Sequence, residues 1–323
     1  MDDLVVSDLH ATPDELDDVD ALMALVVSSI EKERPKRLVF LGDLHHTFAV
    51  TNVKVMGFYR EWFKILKRLC DVVAIVGNHD MPGTGAQTPH ALLAYEDLIC
   101  IIDRPTVFDY TLYLPYYADP NLFHEAVEKA AGYEKIYCHQ EFNGAMYDNG
   151  FFAPHGAEPS LMTVPTISGH IHTPQKLGQV WYPGAPRWRT LSDANIDRVI
   201  VRVNTQGKMT EQIPTGDDCK RIWTARSIEG QKDDSQWPEA NDKDSFRFSI
   251  EGSPEFIQAQ MATLRATYTN PRITSVIKDK RIRVRESDGI DVAFKKYATN
   301  FKAKNATPPA LLMEKASQLF QRA

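Results

Sequence analysis

The sequence predicts an α/β protein, and three observations lead there. Short apolar runs end repeatedly at a small residue followed by Asp, Asn or His. Longer stretches between the first of these runs carry apolar residues at helical spacing. The two alternate, giving the strand–helix–strand order of a layered βαβ arrangement. In Arg37-Leu-Val-Phe-Leu-Gly-Asp-Leu-His-His46, Leu38 to Leu41 read as a strand buried on both faces. Gly42 permits a sharp turn, and Asp43 stands at the strand's carboxyl end, where open α/β folds keep their ligands.

The 323 residues are enough for one large domain, a smaller one and a substantial core. Composition is that of an ordinary globular protein, 43% hydrophobic and 25% charged. A net charge of -6 excludes a globally basic protein, so nucleic-acid binding needs a local basic face. Cys70, Cys100, Cys138 and Cys219 are scattered without a Cys-x-x-Cys pair and read as reduced thiols, neither a disulfide frame nor a zinc site. No run reaches the ~18 apolar residues of a membrane span. A motif as early as Asp8 leaves no room for a signal peptide. The expected location is the cytoplasm, or the host cytoplasm for a phage gene.

In chain order, Leu4-Val-Val-Ser-Asp8-Leu-His10 comes first. Two residues apart on an extended chain, Asp8 and His10 point the same way and suit one metal ion. Alone they equally fit a capping Asp and a surface His. A helix follows from Asp14 to Glu33, with acids at its start and an apolar stripe of Leu22, Leu25, Val26 and Ile30. After the Asp43 strand, a second helix covers Val53 to Leu69 and buries Phe58, Trp62, Ile65, Leu66 and Leu69. The strand Asp71 to Val76 ends in Gly77-Asn78-His79-Asp80. An irregular stretch and a helix around Leu122 to Ala131 lead to the strand Lys135 to His139, and Ile167-Ser-Gly-His170-Ile-His172 completes the series. His90, His124 and His155 lack this strand-end context and read as surface or packing residues.

Asp8, His10, Asp43, Asn78, His139, His170 and His172 are too many donors for one tetrahedral zinc. They suit two divalent ions sharing a carboxylate, and the lack of Cys favours Mn²⁺. Two such ions at ~3.5–4 Å are a standard device for phosphoester hydrolysis.

The order D-x-H, G-D, G-N-H-D, H, G-H-x-H over residues 4 to 190 resembles the calcineurin-like metallophosphoesterase superfamily. The resemblance implies a sandwich of two mixed sheets flanked by helices, within an α/β (α+β) class. It also implies that Asp8, His10 and His172 hold one metal, that Asn78, His139 and His170 hold the other, and that Asp43 bridges them. His79 matches the histidine that contacts the scissile phosphate, with Asp80 placed to orient it. His46 resembles the second catalytic histidine of the SbcD-type DNA-repair nucleases, and His139-Gln-Glu-Phe-Asn-Gly144 looks like the fourth motif of their phage relatives. His45 departs from that pattern, being usually apolar, and has no role here.

Tyr182-Pro-Gly-Ala-Pro-Arg-Trp-Arg-Thr190 lies where those nucleases carry a Tyr-x-Gly-Ser/Thr-Pro segment. Arg187 and Arg189 would grip a phosphate chain, and Trp188 would either stack on a base or serve as a half-buried packing residue. The expected domains are a nuclease domain over 1–226, a linker over 227–244 and a β-α-β capping domain over 245–323. In that last part Ser245 to Ile250 and Val276 to Arg285 are strands around a helix from Phe256 to Tyr268. Arg281, Arg283 and Arg285 share one face of the second strand, either a basic surface for DNA or a solvated strand face. Leu311 to Phe320 is an amphipathic helix able to dock an ATPase coiled coil or its own domain. The reading is a Mn²⁺-dependent DNA exonuclease with single-strand endonuclease activity, active in repair, recombination or degradation. Its partners are DNA, an SbcC-type ATPase and a second copy of the chain, with no membrane. The alternatives are a small-molecule phosphodiesterase or phosphatase, and a nuclease-like subunit that organises an ATPase complex.

Overall fold

The structure, a computed structural model, describes residues 2–47, 50–82, 89–231 and 237–277. Its elements begin with β1 (Asp3–Val6), α1 (Leu16–Glu33), β2 (Arg37–Phe40), α2 (Val53–Leu66), β3 (Asp71–Ile75) and β4 (Cys100–Ile102). Then come β5 (Thr106–Phe108), β6 (Thr111–Leu114), α3 (Pro120–Lys129), β7 (Lys135–His139) and β8 (Thr166–Gly169). They continue with β9 (Gln175–Leu177), β10 (Val180–Tyr182), β11 (Val199–Val203) and β12 (Met209–Pro214). The last described are β13 (Ile222–Ile228), β14 (Ser245–Gly252), α4 (Pro254–Thr267) and β15 (Arg272–Ile277).

The chain divides into two compact units, the first made of Met1–Ala225, Trp237–Arg247 and Tyr268–Arg272. This unit holds two six-stranded sheets, ordered β12-β11-β1-β2-β3-β4 and β5-β6-β7-β8-β10-β9. Both are mixed: β1 to β4 and β6 to β8 run parallel, while β11, β12, β5 and β9 add antiparallel edges. Strand periodicity sorts the side chains. Val5, Val39, Val73 and Ile75 point between the sheets, against Tyr113, Tyr137 and Ile167. Leu4, Val6, Leu38, Phe40 and Ala74 point outward to Leu22, Val26 and Ile30 of α1 and to Tyr59 and Phe63 of α2. On the other side, Leu112, Leu114 and Ile136 meet Phe123 of α3. The result is a helix–sheet–sheet–helix sandwich, and burial on both strand faces explains the continuous apolar runs.

The buried face of α2 differs from the expected stripe. Val55, Tyr59, Phe63 and Leu66 are buried, whereas Ile65 and Leu69 are 43% and 38% exposed. Phe58 and Trp62 are partly buried. Tyr59 turns the helix inward because its hydroxyl donates to the Leu44 carbonyl at 2.7 Å, a partner that hydropathy does not register.

Of the stretch expected to be a linker, 227–244, residues 227–231 and 237–244 are described. β13 runs to Ile228, and Asp244 accepts hydrogen bonds from the Arg221 backbone and the Trp223 indole, each at 2.9 Å. In the second unit the described residues are 226–231, 248–267 and 273–277. Strand order is β13-β14-β15, and β14, α4 and β15 follow one another as the expected β-α-β. β15 begins at Arg272, four residues earlier than the expected Val276. Arg281, Arg283, Arg285 and the helix expected from Leu311 to Phe320 lie outside the described residues. No helix among the described residues is long and apolar enough to cross a membrane.

A buried polar network joins the two sheets. Asp3 of β1 accepts from Lys135 Nζ at 2.7 Å and Tyr137 Oη at 3.0 Å, and faces Arg37 Nε at 3.4 Å. Arg37 continues to Tyr113 and Asp109. Removing one member of a buried ion network leaves uncompensated charge. Asp3→Ala is therefore expected to cost about 3–5 kcal/mol in denaturant unfolding. A loss under about 1 kcal/mol would show that the network does not hold the sheets together.

Candidate metal centre

Five strand ends deliver the polar residues to one place. Asp8 and His10 follow β1, Asp43 follows β2, Asn78 follows β3, His139 ends β7, and His170 and His172 follow β8. The chain at these points is not extended as expected. Asp8, His10, Asp43 and His170 have φ of 48°, 45°, 53° and 85°. This left-handed region is open to Asp, Asn and His more readily than to most residues, and it lets the chain turn back while keeping the side chain inward. The His10 amide donates to the Asp43 carbonyl at 2.8 Å, which holds the loops after β1 and β2 side by side.

Space is as important as direction. A Cβ at Gly77 would fall 2.2 Å from Asp43 Oδ1, and one at Gly42, where φ is +102°, would fall 2.4 Å from His139 Nδ1. Asp80 knits the same loops, accepting from the backbone amides of Gly77 at 3.0 Å, Asp43 at 2.9 Å and His45 at 3.1 Å. The His79 ring meets the His46 carbonyl, 2.6 Å from Nδ1, and its amide donates to Asp43 Oδ1 at 2.8 Å.

The seven candidate ligands converge in two adjacent groups. Asp8, His10 and His172 bring ligand atoms within 4.8 Å of one another, as do Asp43, His139 and His170. Asn78 Oδ1 joins the second group, 2.9 Å from His139 Nε2 and 2.8 Å from His170 Nδ1. Asp43 Oδ2 stands between the groups, 3.5 Å from His10 Nε2 and 3.4 Å from His139 Nε2. In the first group, His10 Nε2 and His172 Nε2 face each other at 3.0 Å. Two imidazole nitrogens and nearby carboxylate oxygens aimed at one point form a cradle of acceptors that a divalent cation satisfies. The donor set fits hard or borderline divalent ions.

The electrostatics agree with that fit. Burial opposes ionisation of Asp43, yet His139 and His10 hold its carboxyl below the ordinary range. His139 is raised against its burial, chiefly by Asp43, whereas burial dominates at His10 and lowers it. Burial and the neighbouring Asp43 charge push Asp80 up, opposed by the His45 and Gly77 amides. A cation between these groups would compete with the proton on His139.

His46 stacks on His79 with ring centroids 5.6 Å apart, and His79 meets His10 edge-on at 4.7 Å. The expected phosphate-gripping segment is different in kind. Arg187 is 1% exposed and spends its guanidinium on the carbonyls of Leu9 and His10 and on Glu15. Trp188 is buried in the core, with Arg221 over its ring at 5.6 Å. Neither is placed to touch a phosphate chain or a base. Trp188 takes the packing alternative, and the burial of Arg187 depends on Glu15 at the distant α1 side of the sandwich. Arg189 stays near the surface and pairs with Glu15 at 3.4 Å.

Sequence reasoning missed several neighbours. Glu141 and Asp148 approach His170 and His172 at 3.6 and 3.4 Å, and Tyr116 stacks on His170 at 5.5 Å. The position of Glu141 two residues after His139 was the available signal. His45, left without a role, is buried, donates to or accepts from Tyr95 Oη at 2.9 Å and stacks on its ring.

His45 carries a pH consequence. Burial lowers its pKa from 6.5 to about 4, so the unfolded chain takes up a proton near pH 6.5 that the folded chain refuses. Its contribution to stability is whole above pH 6.5 and is lost as pH falls towards 4, by up to about 3 kcal/mol. His45→Phe is expected to flatten the stability profile over that window, apart from a constant offset for the lost Tyr95 bond. Parallel profiles for the two proteins would refute the assignment.

No curated protein matches. Among solved structures, the Pseudomonas putida nuclease MPE is 19% identical with a TM-score of 0.30, over 53% of this chain and 60% of that one. Yfce, a phosphoesterase from E. coli, is 14% identical with a TM-score of 0.32, over 67% of this chain and all of that one. The calcineurin-like phosphoesterase family matches residues 4–201, the stretch that supplies all seven converging side chains and the strands of both sheets apart from β12, and the chain belongs to that family of phosphoester hydrolases, which use divalent metals.

Proposed function

We propose that the chain is a metal-dependent DNA nuclease of the SbcD type, hydrolysing phosphodiester bonds. The observation that carries the reading is the stacked pair His46 and His79 beside the two ligand groups. It is the pair that the Gly-Asp-x-x-His motif leads one to expect in such nucleases.

In this reading Asp8, His10 and His172 would hold one ion and Asn78, His139 and His170 the other, with Asp43 common to both. Two Mn²⁺ ions bound there would supply Lewis acidity, lowering the pKa of water and offsetting charge on the phosphoryl oxygens. The chain's own residues do the rest. With Nδ1 committed to the His46 carbonyl, His79 presents Nε2 as the atom that delivers a proton to the departing sugar oxygen. His46, stacked against it, is the second imidazole at the leaving-group side. Asp80 acts indirectly, by fixing the amides of Asp43 and His45. An SbcC-type ATPase, a second copy of the chain and DNA contact through Arg281, Arg283 and Arg285 belong to the same proposal.

A second reading has an observation in its favour. With Arg187 and Trp188 buried, two of the expected DNA contacts are gone, which suits a phosphodiesterase or phosphatase for small molecules. One assay separates the two. End-labelled single- and double-stranded DNA and a small phosphodiester are each incubated with the protein and Mn²⁺. Release of nucleotides from DNA is expected, reduced by about 10²–10⁴ in His79→Ala and abolished by chelation. Hydrolysis of the small diester with DNA intact would replace the nuclease reading by the second one.

A further inference from the structure

His170 and His172 use opposite nitrogens towards the metal centre. His170 turns Nδ1 to Asn78 Oδ1 at 2.8 Å, leaving Nε2 outward, whereas His172 turns Nε2 to His10 at 3.0 Å, leaving Nδ1 outward. Each outward nitrogen meets a carboxylate. Glu141 Oε2 lies 3.6 Å from His170 Nε2, and Asp148 Oδ2 lies 3.4 Å from His172 Nδ1. Both carboxylates come from the loop that follows β7.

We propose that Glu141 and Asp148 are positioning residues that impose opposite tautomers on the two histidines, so that one loop sets both metal positions. The inference rests on the metal-centre reading above. An imidazole has one proton to place when neutral, and an outer carboxylate draws it outward, which directs the lone pair inward and raises its basicity. Glu141 thereby selects the Nε2–H form of His170, and Asp148 the Nδ1–H form of His172.

The loop is built to hold these acids still. Tyr147 donates to Glu141, and Thr173 Oγ1 donates to Asp148 Oδ1 at 2.9 Å, so each carboxylate has a second anchor. Backbone bonds brace the loop at Ala157 to Glu141, 2.8 Å, at Ala153 to Ala145, 2.7 Å, and at Tyr147 to Phe151, 2.8 Å. Gln175 clamps Met146 from both its amide and its carbonyl at 2.7 Å. A surface acid that merely faces solvent needs none of this.

The test is Mn²⁺ binding by equilibrium dialysis for the wild type, Glu141→Ala and Asp148→Ala, beside the melting temperature of each metal-free protein. Nitrogen NMR of labelled histidines reads the tautomers. The wild type is expected to bind two ions. Each alanine variant should weaken one site about 10–100-fold and leave the other, with the metal-free melting temperature lowered by no more than the loss of one hydrogen bond, to Tyr147 or Thr173, accounts for. Glu141→Ala should lose the Nε2–H form at His170, and Asp148→Ala the Nδ1–H form at His172. Glu141→Gln and Asp148→Asn keep an acceptor and should recover part of the affinity. Wild-type affinity at both sites in both alanine variants would overturn the inference alone. Equal weakening of both sites with a larger fall in melting temperature would also overturn it, as a structural effect. A wild type that binds no Mn²⁺ would remove the metal-centre reading, and this inference with it.

Discussion

The centre depends on one buried carboxylate that is not aimed at it. Asp80 collects three backbone amides from two loops, those of Gly77, Asp43 and His45. Carboxyl oxygens accept well from backbone amides, and here the bonds are shielded from water. Its effect is to bring the chain after β2 and the chain after β3 to a fixed separation. Asp43 then stands where His10, His139 and the His79 amide can all reach it. Loosening Asp80 would move Asp43 and, through it, both groups of ligands.

That arrangement stores cost. Several buried acids and imidazoles lie within contact of one another, and four of the residues sit at positive φ. Groups held this way persist only where the surroundings over-determine them. The surroundings are the two sheets, packed against each other and against helices, with the Asp3 network tying them between the layers. Parallel strands in register end at one level, so their loops meet without long connections. Packing supplies the rigidity, and the strand ends spend it on the site.

Charge is used in two ways that look alike in sequence. Arg187 and Arg189 are two residues apart, and both pair with Glu15. Arg187 is enclosed and holds the carbonyls of the chain at Leu9 and His10, so it supports the ligand His10 from behind. Arg189 keeps part of its surface, and its positive charge adds to the burial that lowers His10 and His46. The same pairing of a ligand with a support recurs at the other end of the site, where Tyr116, Glu141 and Asp148 surround the outer edges of His170 and His172.

What the sequence by itself determined is local: which runs are strands, where they stop, and which donor follows each stop. Asp8, His10, Asp43, Asn78, His139, His170 and His172 were legible because each is tied to a strand end a few residues away. The strand–helix–strand layering was legible with them, and the sandwich of two mixed sheets followed from the resemblance that the motif order carries. Tertiary structure alone decided the rest. The face that α2 buries turned on a hydroxyl reaching Leu44, and the burial of Arg187 and Trp188 turned on partners in α1 and around it. The same holds for Asp80, whose role is set by amides some 35 positions back in the chain. Burial and hydrogen-bond partnership belong to pairs of residues far apart in sequence, and no spacing within one segment encodes them.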